Sequence, residues 1–240
     1  MPPKFNHSRY LNTTLMMIIC GPTNCGKTHL LFQMLTTPGI LDYNNLIIYT
    51  TTPEQNYYQF LKHGFYNGLN KTELNYLFNK FNDIEIEDIS EVINDFSIEN
   101  QTSTRSNKIK VTLCETTPID PSAINKKDKN IIIFDDCVNE KDQSIQKSYF
   151  TRGRHNSCSC IYLTQSFYGL DCQSIRRNTN VFIIFHLNKR NLIQLMQDVD
   201  VGDESEFKDL CKSQFKNPRE HKYILINIEA PIENRLITYI

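Results

Sequence analysis

The chain has no tryptophan and only 8 glycines in 240 residues. Glycine this sparse excludes collagen-like and low-complexity architectures, and it makes any glycine-dependent motif harder to obtain by chance. No CxxC pair occurs among the 8 cysteines, and a chain of this length with so few does not form a disulfide scaffold. Cys20, Cys114, Cys137 and Cys160 lie in or beside apolar runs, where cysteine behaves as a small buried hydrophobe, so a reducing compartment is expected. Long apolar runs are missing too. No stretch approaches the roughly 18–20 residues of a membrane span. Lys4 and Arg9 ahead of Leu15–Cys20 imitate a signal peptide, but the apolar run is too short and Gly21-Pro22 replaces a cleavage site. A soluble, intracellular protein without membrane partners is expected. An excess of either charge is also lacking: 26 Lys and Arg against 27 Asp and Glu leave a net charge of −1. That excludes a protein that coats nucleic acid by bulk charge, though not one with a local basic patch.

What the sequence does have is a series of short, nearly continuous apolar runs separated by helical patterns: Leu15–Cys20, Leu46–Thr50, Ile131–Phe134, Cys160–Leu163 and Val181–Leu187. Runs of this kind suit parallel strands covered on both faces, and their alternation with helices predicts an α/β fold. The pattern breaks down between about Asn67 and Lys110, which reads as an insertion of helices plus a mobile loop. Two closing strands are expected at Tyr223–Ile228 and Arg235–Ile240. The whole chain, 1–240, reads as one domain with an insertion at about 67–110 and a C-terminal strand pair at about 223–240.

Gly21-Pro22-Thr23-Asn24-Cys25-Gly26-Lys27-Thr28 matches GxxxxGK[ST] in full, after an apolar strand and before a helix. Glycines let backbone N–H groups wrap phosphates at a helix N-terminus. Lys27 is expected to reach the β- and γ-phosphates, and the Thr28 hydroxyl to join a Mg²⁺ shell. Ile131–Phe134 ends in Asp135-Asp136, the second half of such a site: Asp135 is expected to hold Mg²⁺ through water, and Asp136 to polarise an attacking water. The next apolar strand ends in Thr164-Gln165, placing Gln165 to sense the γ-phosphate. Arg154, within Thr151-Arg152-Gly153-Arg154-His155, is the first candidate for a finger toward a neighbour's γ-phosphate, with Arg152, Arg176 and Arg177 as alternatives. Arg176 and Arg177 are candidates for interface or DNA contacts. ATP and Mg²⁺ are the expected cofactors.

Three other patterns carry less. Asn125-Lys126-Lys127-Asp128 matches the guanine-reading NKxD motif but precedes the paired acids, where a GTPase would carry it later. His155, Cys158 and Cys160 lack a fourth ligand at zinc spacing. Cys25 stands near a helix N-terminus and Lys27, which predicts a lowered thiol pKa if it is exposed, and a block of activity on alkylation.

The ordered set GPTNCGKT, IIIFDD, TRGRH, IYLTQS and IRRNTNVFIIF resembles the FtsK–HerA superfamily of P-loop ATPases. Within it, the match is to the poxvirus-like DNA-packaging ATPases of large DNA viruses, virophages and Polinton-like elements. The resemblance covers about Leu15 to Asn188. It implies a RecA-like (ASCE) core with helices on both faces, strand order 5-1-4-3-2, and extra C-terminal strands. It implies an ATP-driven translocase of dsDNA, packaging a genome into a preformed capsid as a pentameric or hexameric homo-oligomeric ring. Capsid proteins would then be partners, and the host cytoplasm, a virus factory or the virion its place. Lys27 and Thr28 match the Walker A pair, Asp135 and Asp136 the Walker B pair, Gln165 the sensor and Arg154 the arginine that acts in trans. Asp136 departs from the more usual Glu, and the early phosphate loop suggests nearly the bare motor. Lys212, Lys216, Arg219 and Lys222 are candidate DNA contacts. A cellular or plasmid DNA-pumping motor and a P-loop nucleotide kinase are the alternatives, and the Gln-tipped strand argues against the kinase.

Overall fold

The computed structural model describes residues 3–81, 86–106, 108–140, 142–171, 173–217 and 220–238. Its first apolar run forms β1 (Met16–Cys20), in which every residue is buried. β2 (Asn45–Thr50), β4 (Asn130–Asp135), β5 (Cys158–Thr164) and β6 (Val181–Ile184) are buried almost throughout, as strands covered on both faces must be. They form one eight-stranded sheet with β3 (Lys110–Cys114), β7 (Ile224–Asn227) and β8 (Leu236–Ile237), in the order β3-β2-β4-β5-β1-β6-β7-β8. The six strands from β3 to β6 in that order are parallel, whereas β7 and β8 are antiparallel additions.

Numbered among themselves, the five strands expected from the sequence stand in the expected order: β6, β1, β5, β4, β2. The difference is β3, a sixth parallel strand that extends the sheet beyond β2 from the end of the segment read as an insertion. Its residues are exposed or half-buried, because it lies at the sheet edge and carries Lys110 outward. An edge strand has no need of a continuous apolar run, so none marks it.

Period-two alternation divides the buried residues of each strand between two cores. Met17 and Ile19 of β1, Ile131 and Ile133 of β4, and Ile161 and Leu163 of β5 face the first core. That core is closed by α1 (Lys27–Thr36), α2 (Asn56–Tyr66), α3 (Lys71–Phe81) and α4 (Ile86–Asn100). Met16, Ile18, Ile132, Phe134, Cys160 and Tyr162 face the other way. There they meet α5 (Ser144–Arg152), α6 (Lys189–Asp198) and α7 (Glu204–Gln214). Within segment 67–110, Leu74, Leu77 and Phe78 of α3 and Ile89 and Ile93 of α4 are buried in the first core, so these two helices are part of its cover.

Two helix starts on the second face, those of α6 and α7, are capped by side chains. Asn188 accepts from the Asn191 N–H to cap α6, and Asp203 accepts from Ser205 and Glu206 to cap α7. Among the described residues, no helix is long and apolar enough to cross a membrane.

Candidate active site

Register places three of the sequence motifs along one edge of the sheet. Cys20 at the end of β1 pairs with Thr164 at the end of β5, and Asp135 at the end of β4 pairs with Leu163. The phosphate loop, the paired acids and Gln165 therefore emerge side by side at the C-terminal ends of parallel strands, where ligands of open α/β sheets sit.

The loop from Gly21 to Gly26 is held in one shape. The Gly21 N–H donates to Thr164 O at 3.1 Å, extending the ladder by one residue. A Cβ on Gly21 would lie 2.6 Å from Cys25 Sγ and 2.8 Å from Phe185 Cβ, so only glycine fits. Asn24 (φ 59°) and Gly26 (φ 99°) both take left-handed backbone, the geometry that turns successive N–H groups toward an anion. Pro22 and Thr23 are exposed at the tip of the loop. Lys27, the first residue of α1, folds over the loop and donates to Gly21 O and Pro22 O at 2.8 Å each. Thr28 follows it, half-buried at the same end of α1.

Gln165 connects loop and acids. Its Oε1 accepts from the Thr23 hydroxyl at 3.1 Å, and its Nε2 donates to Asp136 Oδ1 at 3.4 Å. Asp136 is exposed and takes φ 55°, a left-handed turn that lifts its carboxylate off the end of β4. Asp135 differs from it in every respect. It is only 6% exposed, and its Oδ2 accepts from the Tyr58 hydroxyl at 2.5 Å. Burial, followed by the Asp136 charge, pushes the Asp135 carboxyl above the usual carboxylate range, against the opposing pull of Tyr58 and Lys27.

The donor set suits a hard cation: a buried carboxylate and a threonine hydroxyl at one sheet edge are oxygen ligands of the kind that hold Mg²⁺ together with water and phosphate oxygens. A cage built wholly from side chains is not seen. Among the described residues, no group of three or more His, Cys, Asp or Glu is placed to hold a metal, and Cys158 and Cys160 are buried in the second core.

The exposure on which a lowered Cys25 pKa depends is not met. Cys25 is half-buried against Gly21, and loss of solvation outweighs the nearby Lys27 ammonium, so its thiol is pushed up, not down. Asn125–Asp128 is a surface turn at the opposite end of β4, where the Asn125 amide donates to Asp128 Oδ2.

The arginines also lie at that opposite edge. Arg154 sits in the 3₁₀ turn Gly153–Asn156 that leads into β5, and its guanidinium is 3.7 Å from Glu229. The seven residues of β5 separate it from Gln165, roughly 20 Å at the usual rise per residue. Arg154 is thus remote from the phosphate loop of its own chain. Arg176 is tied down locally: it ion-pairs with Asp198, lies over the Phe167 ring, and has only 10% of its side chain exposed. Arg177 donates to Gln173 Oε1 at 2.8 Å. In the C-terminal basic set, Lys212 pairs with Asp209 and Lys222 with Glu220, while Lys216 is exposed. Arg219 lies outside the described residues.

Tyr58 is the site residue that sequence reasoning missed. A tyrosine early in an amphipathic helix carries no motif, and only its bond across to Asp135 at the end of β4 reveals it.

No protein-family model matches the chain, and no curated protein matches it by sequence. Solved structures do match. The genome packaging NTPase B204 of Sulfolobus turreted icosahedral virus 2 in complex with AMP aligns at 12% identity and TM-score 0.56, covering 96% of this chain and 98% of that one. Its complex with ATP-gammaS aligns at 11% identity and TM-score 0.54 with the same coverage. B204, the DNA-packaging ATPase from Sulfolobus turreted icosahedral virus, aligns at 14% identity and TM-score 0.51, covering 92% and 94%. At such low identity the likeness speaks to architecture, and over nearly its whole length the chain shares the fold of these packaging NTPases.

Proposed function

We propose that the chain is an ATPase that drives dsDNA into a viral capsid as a homo-oligomeric ring of the FtsK–HerA type. The observation that carries the reading is the continuous link Thr23–Gln165–Asp136, which joins the phosphate loop to the exposed acid on the edge that also holds Lys27, Thr28 and Asp135. The shared fold with packaging NTPases that bind AMP and ATP-gammaS supports it.

In this reading the N–H groups of residues 23–28 and the Lys27 ammonium bind the β- and γ-phosphates. Lys27 exchanges its two loop carbonyls for phosphate oxygens. Thr28 and Asp135 would hold Mg²⁺, which when bound neutralises charge on the β- and γ-phosphate oxygens. Asp136 accepts a proton from a water that attacks the γ-phosphorus as the bond to the bridging oxygen breaks. Gln165 orients Asp136 and reports the γ-phosphate to the loop through Thr23. Arg154, remote from its own phosphate loop, serves the site of a neighbouring subunit.

The reading is tested by ATP hydrolysis with dsDNA, with ssDNA and without DNA, alongside mass measurement in the presence of a non-hydrolysable analogue. A ring-sized assembly with dsDNA-stimulated hydrolysis is the expected result. A monomer whose hydrolysis ignores DNA would overturn the motor, and phosphate transfer to a nucleoside would establish a kinase instead.

A further inference from the structure

A cleft of about 680 Å³ opens beside the phosphate loop and runs along α1 away from the paired acids. Gly26, Lys27 and Thr28 form part of its wall. The rest is made of aromatic and amide side chains from three separate parts of the chain: His29 and Gln33 from α1, Gln55 and Tyr57 from the start of α2, and His221, which stands over Gly26, from the segment that leads into β7.

Tyr57 is fixed in place. Its ring lies 5.1 Å from Phe78 and 5.8 Å from Phe32, and the His29 ring meets it edge-on at 6.1 Å. His221 is held over the loop. A Cβ built on Gly26 would come within 3.4–3.5 Å of His221 Cβ, Cγ and Nδ1. The backbone of His221 is left-handed (φ 50°), a conformation that costs free energy in a non-glycine residue and that clusters at ligand clamps. Burial first, and then the neighbouring His221, hold the His29 imidazole below its ordinary range, so it presents an uncharged ring at neutral pH. The two glutamines are each half-committed. Gln33 Oε1 accepts from Asn75, leaving its Nε2 to donate, while Gln55 Nε2 donates to Thr52, leaving its Oε1 to accept.

A cleft that combines loop N–H groups, flat rings and one spare donor and one spare acceptor is complementary to a nucleoside polyphosphate. The geometry points to this cleft as the nucleoside subsite, with His221 stacking on the base and acting as a determinant of nucleotide affinity separate from the phosphate loop. The inference rests on the nucleotide-binding reading above and adds the base to it. Stacking on a ring is sequence-tolerant and strong enough to measure on single substitution.

The experiment compares binding of ATP and of inorganic tripolyphosphate to the full chain by calorimetry, for wild type, His221→Asn and His221→Phe. Asparagine tolerates the left-handed backbone but has no ring, whereas phenylalanine keeps a ring. The expected result is that wild type binds ATP more tightly than tripolyphosphate. His221→Asn should weaken ATP about tenfold while tripolyphosphate stays within about twofold, and His221→Phe should stay near wild type. Equal affinity of wild type for the two ligands overturns the subsite, as does a loss in His221→Asn shared equally by both, or no loss at all. Failure of wild type to bind either ligand overturns the phosphate-loop reading itself, and the subsite with it.

Discussion

The Tyr58 hydroxyl donates to Asp135 Oδ2 at 2.5 Å, tying the first turn of α2 to the buried acid at the end of β4. This bond offsets part of the cost of burying a carboxylate that burial and Asp136 both push toward protonation. Tyr58→Phe is therefore expected to raise the Asp135 pKa further. Titration of Mg²⁺-dependent nucleotide binding against pH should show the acid limb displaced to higher pH. Leaving a buried carboxylate short of a partner should also lower unfolding stability by about 1–3 kcal/mol in denaturant melts. An unchanged acid limb would mean that Tyr58 packs without tuning the acid.

Gln165 bonds to both Thr23 and Asp136, so it and Asp136 should fail in the same way. Asp136→Asn and Gln165→Ala are each expected to lower kcat for ATP by about 10²–10⁴-fold, the range for loss of acid–base assistance. Nucleotide affinity, measured by calorimetry, should stay within about threefold, because neither residue belongs to the Lys27 loop. The double variant should be little worse than either single one, since residues acting as a unit are not additive. Independent, multiplying losses would show that the two do not work together.

How much of this was legible in the sequence depended on burial. The five core strands announced themselves because strands covered on both faces need unbroken apolar runs, and the phosphate loop because its spacing is rigid. β3 was hidden, since its edge position permits Lys110 and Thr112 to alternate with Val111 and Leu113. Tyr58 was hidden because its partner lies 77 residues away. The direction of the Cys25 shift was undecided for a related reason: proximity to Lys27 is visible in the sequence, but burial is not, and burial is the larger effect.

Gly21 owes its identity to packing, not to its backbone angles. Any Cβ would press on Cys25 Sγ and Phe185 Cβ at under 3 Å. Gly21→Ala is expected to destabilise the chain by about 1–3 kcal/mol, the usual cost of overpacking, and to weaken ATP binding because the loop must shift. Pairing it with Cys25→Ala should recover part of the lost melting temperature by freeing the nearer contact. No recovery would locate the clash at Phe185 alone.

His7 couples stability to pH. Asp42 N–H donates to its Nδ1 at 3.0 Å, so the ring's own proton sits on Nε2, facing Ser159 Oγ at 3.3 Å. Burial, partly opposed by the Asp42 charge, holds the folded pKa at about 4, below the ordinary 6.5. A depressed folded pKa gives stability that is fully present above pH 6.5 and is lost as pH falls toward and through 4. The loss on complete protonation is on the order of 3 kcal/mol. Chemical denaturation between pH 7 and 4 should show this decline, and His7→Phe should flatten it. An equally steep decline in His7→Phe would assign the effect to other groups, His29 and His63 among them, whose pKa values burial also lowers.

Arg154 lies at the edge of the sheet opposite the phosphate loop, so any part it takes in hydrolysis must be played on another subunit's site. Arg154→Ala should then leave ATP affinity intact and reduce hydrolysis by about 10³-fold or more, the range for a finger supplied in trans. The decisive measurement mixes two inactive variants. In a ring containing both Arg154→Ala and Asp136→Asn subunits, some interfaces pair an intact Asp136 from the first with an intact Arg154 from the second. Those interfaces alone carry a complete site, so hydrolysis should reappear on mixing and peak near equal proportions. If Arg154 served its own chain, every subunit would lack one essential group and the mixture would stay as inactive as its parts.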